Sequence, residues 1–395
     1  MGTPGRTAGG GVGPALLLAV ASLACTKPSG GPSVERDSAG VRIVESTRPA
    51  WGESRPWLID SIPTIDLTKT SPSEFTDVVD ARRSGNGRFV VADGGSQEIR
   101  VYSPAGTIQW KAGRKGDGPG DFNRLANVDF LRGDSIVAFD YWLGRATIFG
   151  PDGRLGRLIV PYQAGPNIKL LYPIAPSGFV ALLDSYELMP GTTGPFRIPA
   201  PVARVSAAGA VRDTITVLPG FETYVFSQGD ARPLFGRRAH LATRGSEIVV
   251  GTANELGYAV YSETGHLAKA TRVLAFDLRL TSDQIAAERA SYLGANPPQS
   301  YRDLIASLPS PSTRPAFSQL LVDPTGSVWL APFNGGAEPD RTLDWQVFDS
   351  TGTWLGPVRF PPRLHVTQIE LDAVLGVRRD SLDVEHVVLF RVRGR

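Results

Sequence analysis

The sequence predicts an all-β chain folded as a six-bladed β-propeller. Three observations predict it. A glycine-centred hairpin recurs five times, as VYSPAGTI, IFGPDGRL, RVSAAGAV, VYSETGHL and VFDSTGTW. Each is preceded by a polar turn and a β-rich strand, as in NGRFVVAD, GDSIVAFD and TGSVWLAP, and the units follow one another at roughly the 40–55-residue period of a four-stranded blade. The 44 glycines and 32 prolines among 395 residues favour many turns and short strands over long helices.

The first element is not part of a blade. Val12 to Cys25 is a short apolar run, VGPALLLAVASLAC, that ends in small residues after a weakly basic start at Arg6. It is too short to span a bilayer comfortably and has the shape of a secretory signal. Cys25 is the single cysteine, so one chain can form no disulfide and no cysteine-based zinc site. Residues 26–40, beginning TKPSGGPS, read as a flexible polar tether.

Residues 41–395 hold the repeats. Five blades are expected at about 76–112, 123–160, 168–218, 236–276 and 317–360. In their hairpins Gly106, Gly153, Gly209, Gly265 and Gly352 supply the positive φ that a tight turn needs. A sixth blade is expected from both ends of the chain. Two strands come from ELDAVLGVRRD and VEHVVLFRV, and the rest from VRIVES and WLIDSIPTIDL. Joining the ends in one sheet leaves no open blade edge. Between blades four and five, about 280–316, two helices are expected. Thr281 and Gln284 read as a capping box, and Tyr301, Leu304, Ile305 and Leu308 form an i, i+3, i+4, i+7 stripe.

The first two blades resemble NHL repeats, a family of six-bladed propellers. The resemblance rests on Asp93, Ile99, Val101, Tyr102, Gly106 and the connector GDGPGDF in blade one, and on Asp140, Arg145, Ile148, Phe149 and Gly153 in blade two. Ser96 and Glu98 depart from the Asn and Arg usual in the family's turn. The whole chain is similar to TolB-like propeller lipoproteins of bacteria. SLAC, ending at Cys25, resembles their lipobox, in which the cysteine becomes the lipidated first residue. The resemblance implies a chain anchored to the cell envelope by lipid, at the outer membrane facing the periplasm, or secreted if the lipobox is not used.

The GRKGDGPGDF segment, Gly113 to Phe122, is glycine-rich but is no phosphate loop. It lacks a Gly-Lys-Ser/Thr ending, Pro119 removes a donor, and a strand rather than a helix follows it. It reads as a blade-to-blade connector with Phe122 packed between sheets, and PSEF, Pro72 to Phe75, reads as its counterpart one blade earlier.

In a four-stranded meander the inner strand begins at one end, the top. The connector from strand two to strand three returns there, and so does the link between blades. All the long segments fall in top connectors, namely Asp184–Pro201, Pro219–Phe235, Leu280–Ala316 and Pro332–Leu343, whereas the bottom turns are short. Elaboration of one face marks it as the functional surface. At its mouth the expected ligand-binding residues are Arg124, Lys169, Arg237 and Arg238, with Tyr141, Trp142 and Tyr186 from loops. Cations beside aromatics suit an anionic ligand, a peptide, a glycan or a protein partner.

Other chemistries find little footing. The net charge of +2, with no long single-sign run, does not point to nucleic acid. The four histidines show no paired metal-ligand spacing, and no G-x-S-x-G elbow appears in a strand–turn–helix context. No cofactor, resident metal or catalytic residue is expected. The alternative is a calcium-type hydrolase or lyase at the channel mouth, with Asp77, Asp93, Asp140 and Asp372 converging.

Overall fold

A computed structural model of the chain describes residues 31–70, 74–160, 167–176, 178–184, 191–227, 229–294, 296–335 and 341–395. Cys25 and Tyr186 lie outside the described residues. Within the unit Pro32–Arg395 the described strands form six sheets, antiparallel except where the N-terminal hairpin joins one. The first comprises Val78–Arg83, Phe89–Asp93, Glu98–Tyr102 and Ile108–Ala112, and the second Leu125–Phe130, Ile136–Asp140, Arg145–Phe149 and Leu155–Ile159. Each is a meander whose second strand is buried on both faces. That is why FVVAD and IVAFD read as nearly continuous apolar runs.

The first strands of the six sheets contact their neighbours in a closed cycle. Side chains stitch several of these seams. Asp80 accepts from Val128 N at 3.2 Å, and Asn127 donates to Leu171 O at 2.7 Å. Thr243 donates to Pro173 O at 3.0 Å, and Gln319 to Val366 O at 2.6 Å. Gln368 accepts from Arg83 N at 2.6 Å and donates to Arg83 O at 3.1 Å. Between sheets the core is apolar. Val90, Ile99, Phe122, Val128 and Ile136 fill the first seam, all fully buried.

All five hairpin glycines have positive φ, from +81° at Gly153 to +100° at Gly352. Gly153 shows why only glycine fits. A Cβ there would lie 2.7 Å from the Trp110 ring on the sheet before it. Gly153→Ala is therefore expected to destabilise the protein by about 1–2 kcal/mol from backbone strain alone, and by more if Trp110 must shift. Urea unfolding followed by tryptophan fluorescence measures this.

The N-terminal region departs from expectation twice. Ser33–Ser38, placed in the tether, is a strand that pairs with Val41–Ser46. VRIVES does not enter the last sheet. It pairs in parallel with Leu267–Val273 and extends the fourth sheet to six strands. The chain then passes the fifth sheet, where Ala50 N and Trp51 N donate to Trp354 O and Leu355 O, both at 2.9 Å. Only Leu58–Ile59 and Ile65–Asp66 reach the sixth, on Glu385–Arg393. A strap thus covers the outer strands of the fourth, fifth and sixth sheets in succession, and Ser33–Ser38 becomes the outermost strand of the fourth.

The last sheet begins one strand earlier than expected, at Leu364–Ile369. Asp372 therefore sits in its first hairpin, at the bottom, and not at the start of an inner strand. The third sheet also differs. The segments around 194–201 and 219–226 are not two separate loops. They are the paired ends of Gly194–Val205 and Val211–Phe226, an arm in which Gly194 faces Val225. Helices Ser282–Leu293 and Gln299–Ser307 are present, with the Thr281–Gln284 capping box formed. Of the apolar stripe, Ile305 and Leu308 are buried, whereas Tyr301 is exposed.

Candidate functional site

The top face is built where inner strands begin. Asp93 and Asp140 end the second strands of the first two sheets, and both are fully buried. Asp140 accepts from the backbone N–H of Asn123, Arg124 and Leu143 at 2.6–2.8 Å. Asp93 accepts from Gly95 N at 3.0 Å and pairs with Arg100 at 3.1 Å. These carboxylates fix the two connectors and are consumed in doing so. With Asp372 at the bottom, the four carboxylates expected to converge for calcium do not converge.

Holding these turns places Arg124 and Tyr141 side by side, with the guanidinium 5.3 Å from the ring centroid. On the third sheet Lys169 bonds Asp184 at 3.3 Å and lies 5.2 Å from the centre of the Phe221 ring, which the arm supplies. Asp77, Arg124, Tyr141, Lys169 and Asp184 line one open cavity of about 430 Å³. A second hollow of about 430 Å³ adjoins it through Asp77 and includes Arg363, Arg379 and Glu385. Trp142 stands on the rim with 71% of its surface exposed.

The sequence therefore located Arg124, Tyr141 and Lys169 in one cavity. Arg237 does not belong there as a free cation. Its guanidinium pairs with Glu222 at 3.2 Å and donates to Thr313 Oγ1 at 2.6 Å, so it ties the arm to the segment after the helices. Arg238 is exposed and has no hydrogen bond or ion pair among the described residues. Partial desolvation of its guanidinium, and then Arg232, hold it below the usual value.

Two contributors escaped the sequence reading. Arg197, on the arm, donates to the carbonyls of Pro219, Gly220 and Thr252 and to Asn254 Oδ1, and to no carboxylate. His240 opens the inner strand of the fourth sheet and packs on Phe317, centroids 5.1 Å apart. Burial, then Arg238, Lys169 and Arg197, push its pKa down to about 3, so the ring is neutral at physiological pH. Its Nε2 is shut off from solvent and has no hydrogen-bond partner. The alternation in FRIP and FETY was the available signal for the arm's inward residues, Arg197 and Phe221.

Below the mouth, Arg82 crosses the channel. It pairs with Asp80 at 3.2 Å and donates to Thr367 O at 2.5 Å. Burial raises Asp80 to about 6, against the pull of Arg82. Burial also raises Asp129, and it raises Tyr172 to about 12. Burial opposes the charge on Arg82, but Asp80 and Asp129 more than offset it and raise its pKa. The carboxylates nearest the axis are thus already engaged by a guanidinium.

No family model matches the chain, and no curated protein matches it in sequence. Among solved structures it is similar to a putative exported protein of Bacteroides fragilis, at 12% identity over 89% of this chain and 99% of that one, with a TM-score of 0.50. It is also similar to a DUF4221-family member from Bacteroides vulgatus, at 12% identity over 85% and 96%, with a TM-score of 0.51. At these identities the likeness concerns the fold alone. With the cyclic contact of blade-like sheets, the chain is an all-β protein of propeller type.

Proposed function

We propose that this chain is a six-bladed, envelope-anchored propeller that binds an oxyanion-bearing ligand or partner on its top face. Six sheets in one cycle, with the last sheet shared by both chain ends, support the blade count. The signal-like run ending at Cys25 supports the anchor, and likeness to a putative exported protein accords with a place outside the cytoplasm. The domains are then the signal to Cys25, a tether ending near residue 32, and the propeller with its helical insertion. The strand Ser33–Ser38 shortens the tether from its expected end at residue 40.

One observation carries the binding reading. Arg124, Arg232 and Arg238 have no carboxylate partner among the described residues, and Arg124 lines the cavity that holds Lys169. Guanidinium groups left unpaired beside aromatic rings are suited to recognise oxyanions. The calcium-type hydrolase or lyase has no converging carboxylates among those expected to support it.

The test is affinity capture from the envelope extract of the source cell with purified protein, comparing the natural chain with Arg124→Glu/Lys169→Glu. The double charge reversal is expected to lower capture of the principal partner at least about tenfold, the scale of a lost charged hydrogen bond. The melting temperature is expected to fall only slightly, through loss of the Lys169–Asp184 bond, since the Arg124 side chain has no hydrogen bond among the described residues. Undiminished capture would sink the top-face assignment.

A further inference from the structure

The lining of the mouth narrows the class of ligand, granted that this face binds one. Cations and hydrogen-bond acceptors alternate around it. Arg124 offers a forked donor to an oxyanion, and the ammonium of Lys169 lines the same cavity. Asp77 is exposed and its carboxylate has no hydrogen-bond partner among the described residues, although it lines both hollows. A densely charged polyanion would be repelled there. A ligand that carries hydroxyl donors as well as oxyanions would satisfy both kinds of group. Asp184 repeats the pattern, since one bond to Lys169 leaves acceptor capacity on its carboxylate.

Aromatic geometry points the same way. Trp142, 71% exposed, stands next in sequence to Tyr141, whose ring already carries Arg124 on one face. Flat rings on an open rim suit the C–H face of a pyranose. They suit apolar peptide side chains less well, because these need an enclosed pocket. The cavity is open and edged by charged groups.

We infer that the mouth between the first, second and third sheets binds an acidic saccharide, with Arg124 and Lys169 on its carboxylates, Asp77 and Asp184 on its hydroxyls, and Trp142 against a sugar ring. Lys169 is held by Asp184 and Phe221 in the position where a carboxylate would meet it.

The test is titration calorimetry of the purified protein with three acidic oligosaccharides, namely tetragalacturonate, tetramannuronate and a hyaluronan tetrasaccharide. Their methyl esters and poly-glutamate serve as comparisons. At least one free acid is expected to bind, its methyl ester at least about tenfold more weakly. Arg124→Ala should weaken it about tenfold, and Trp142→Ala about fivefold. Neither side chain has a hydrogen bond among the described residues, and unchanged melting curves would verify that the fold is intact.

Failure of all three acids to bind overturns the inference, as does equal binding of acid and ester. Tighter binding of poly-glutamate that falls with Arg124→Ala also overturns the saccharide, while the face remains the binding surface. Loss of that surface altogether would show instead in the capture experiment, as a partner indifferent to the charge reversal.

Discussion

Arg82→Met is expected to cost the fold about 3–5 kcal/mol at neutral pH, the largest effect of any single substitution of a charged residue in the channel. The reason is what the substitution leaves behind. Asp80 is 5% exposed and pairs with Arg82, and Asp129 lies within reach of the same guanidinium. Methionine fills much of the volume but provides no charge, so two enclosed carboxylates face each other uncompensated. The bond to Thr367 O, which ties the sixth sheet to the first, is lost as well.

The pH dependence identifies the cause. Asp80 in the folded chain is raised to about 6, above the usual carboxylate value, so the folded state binds the extra proton. Its contribution to stability is greatest below about pH 4 and declines as pH rises through about 6. Without Arg82 the folded value rises further. The deficit of Arg82→Met should therefore be largest above pH 7 and shrink near pH 4 to the packing difference and the lost bond to Thr367 O, about 2 kcal/mol together. Urea unfolding at a series of pH values measures it. A deficit independent of pH would mean that Arg82 acts by packing and not by charge.

Phe122→Ala is expected to cost about 3–5 kcal/mol, and Phe122→Leu less than about 1.5. Phe122 closes the glycine-rich connector and is fully buried among Val90, Leu125 and Ile136, between the first two sheets. The connector's path depends on it. A Cβ at Gly113 would lie 2.7 Å from its ring, so the glycine makes way for the phenylalanine. Phe75 and Phe317 fill the corresponding seams, at 5% and 1% exposure. Pro72 and Ser73 of the earlier counterpart fall outside the described residues. Denaturant unfolding of the pair Ala and Leu separates cavity formation from loss of a specific aromatic contact. Equal costs for both would argue that the ring shape, and not the filled volume, matters.

Local physics made the fold legible where it acted alone. A positive φ at Gly106 or Gly265 requires glycine whatever the surroundings, and the Thr281–Gln284 box satisfies its own helix end. Features set by a distant partner were not legible in this way. VRIVES alternates like any strand, but nothing in its six residues chooses the outer edge of the fourth sheet over the last. LHVTQI was overlooked because the inner strand faces the channel. Thr367 and Gln368 are polar there and bond to backbone of neighbouring strands, so the segment lacks the apolar richness that marks a second strand.

The site divides in the same way. Arg124 and Tyr141 are placed by a turn that Asp140 caps within 20 residues, so position along the blade located them. Arg237 looked equally free, but its partner Glu222 sits across the base of an arm whose pairing was read as two loops. His240 is set apart by burial first and then by Arg238, Lys169 and Arg197, none of which a pattern within its own strand reveals.

The most direct test is hydrogen exchange of the purified protein with and without the partner that it captures. The account predicts slowed exchange at the top mouth, over residues 123–126, 141–144, 168–170 and 237–240, with the bottom turns at 84–87, 150–153, 262–265 and 323–326 unchanged. Protection confined to those bottom turns would contradict it.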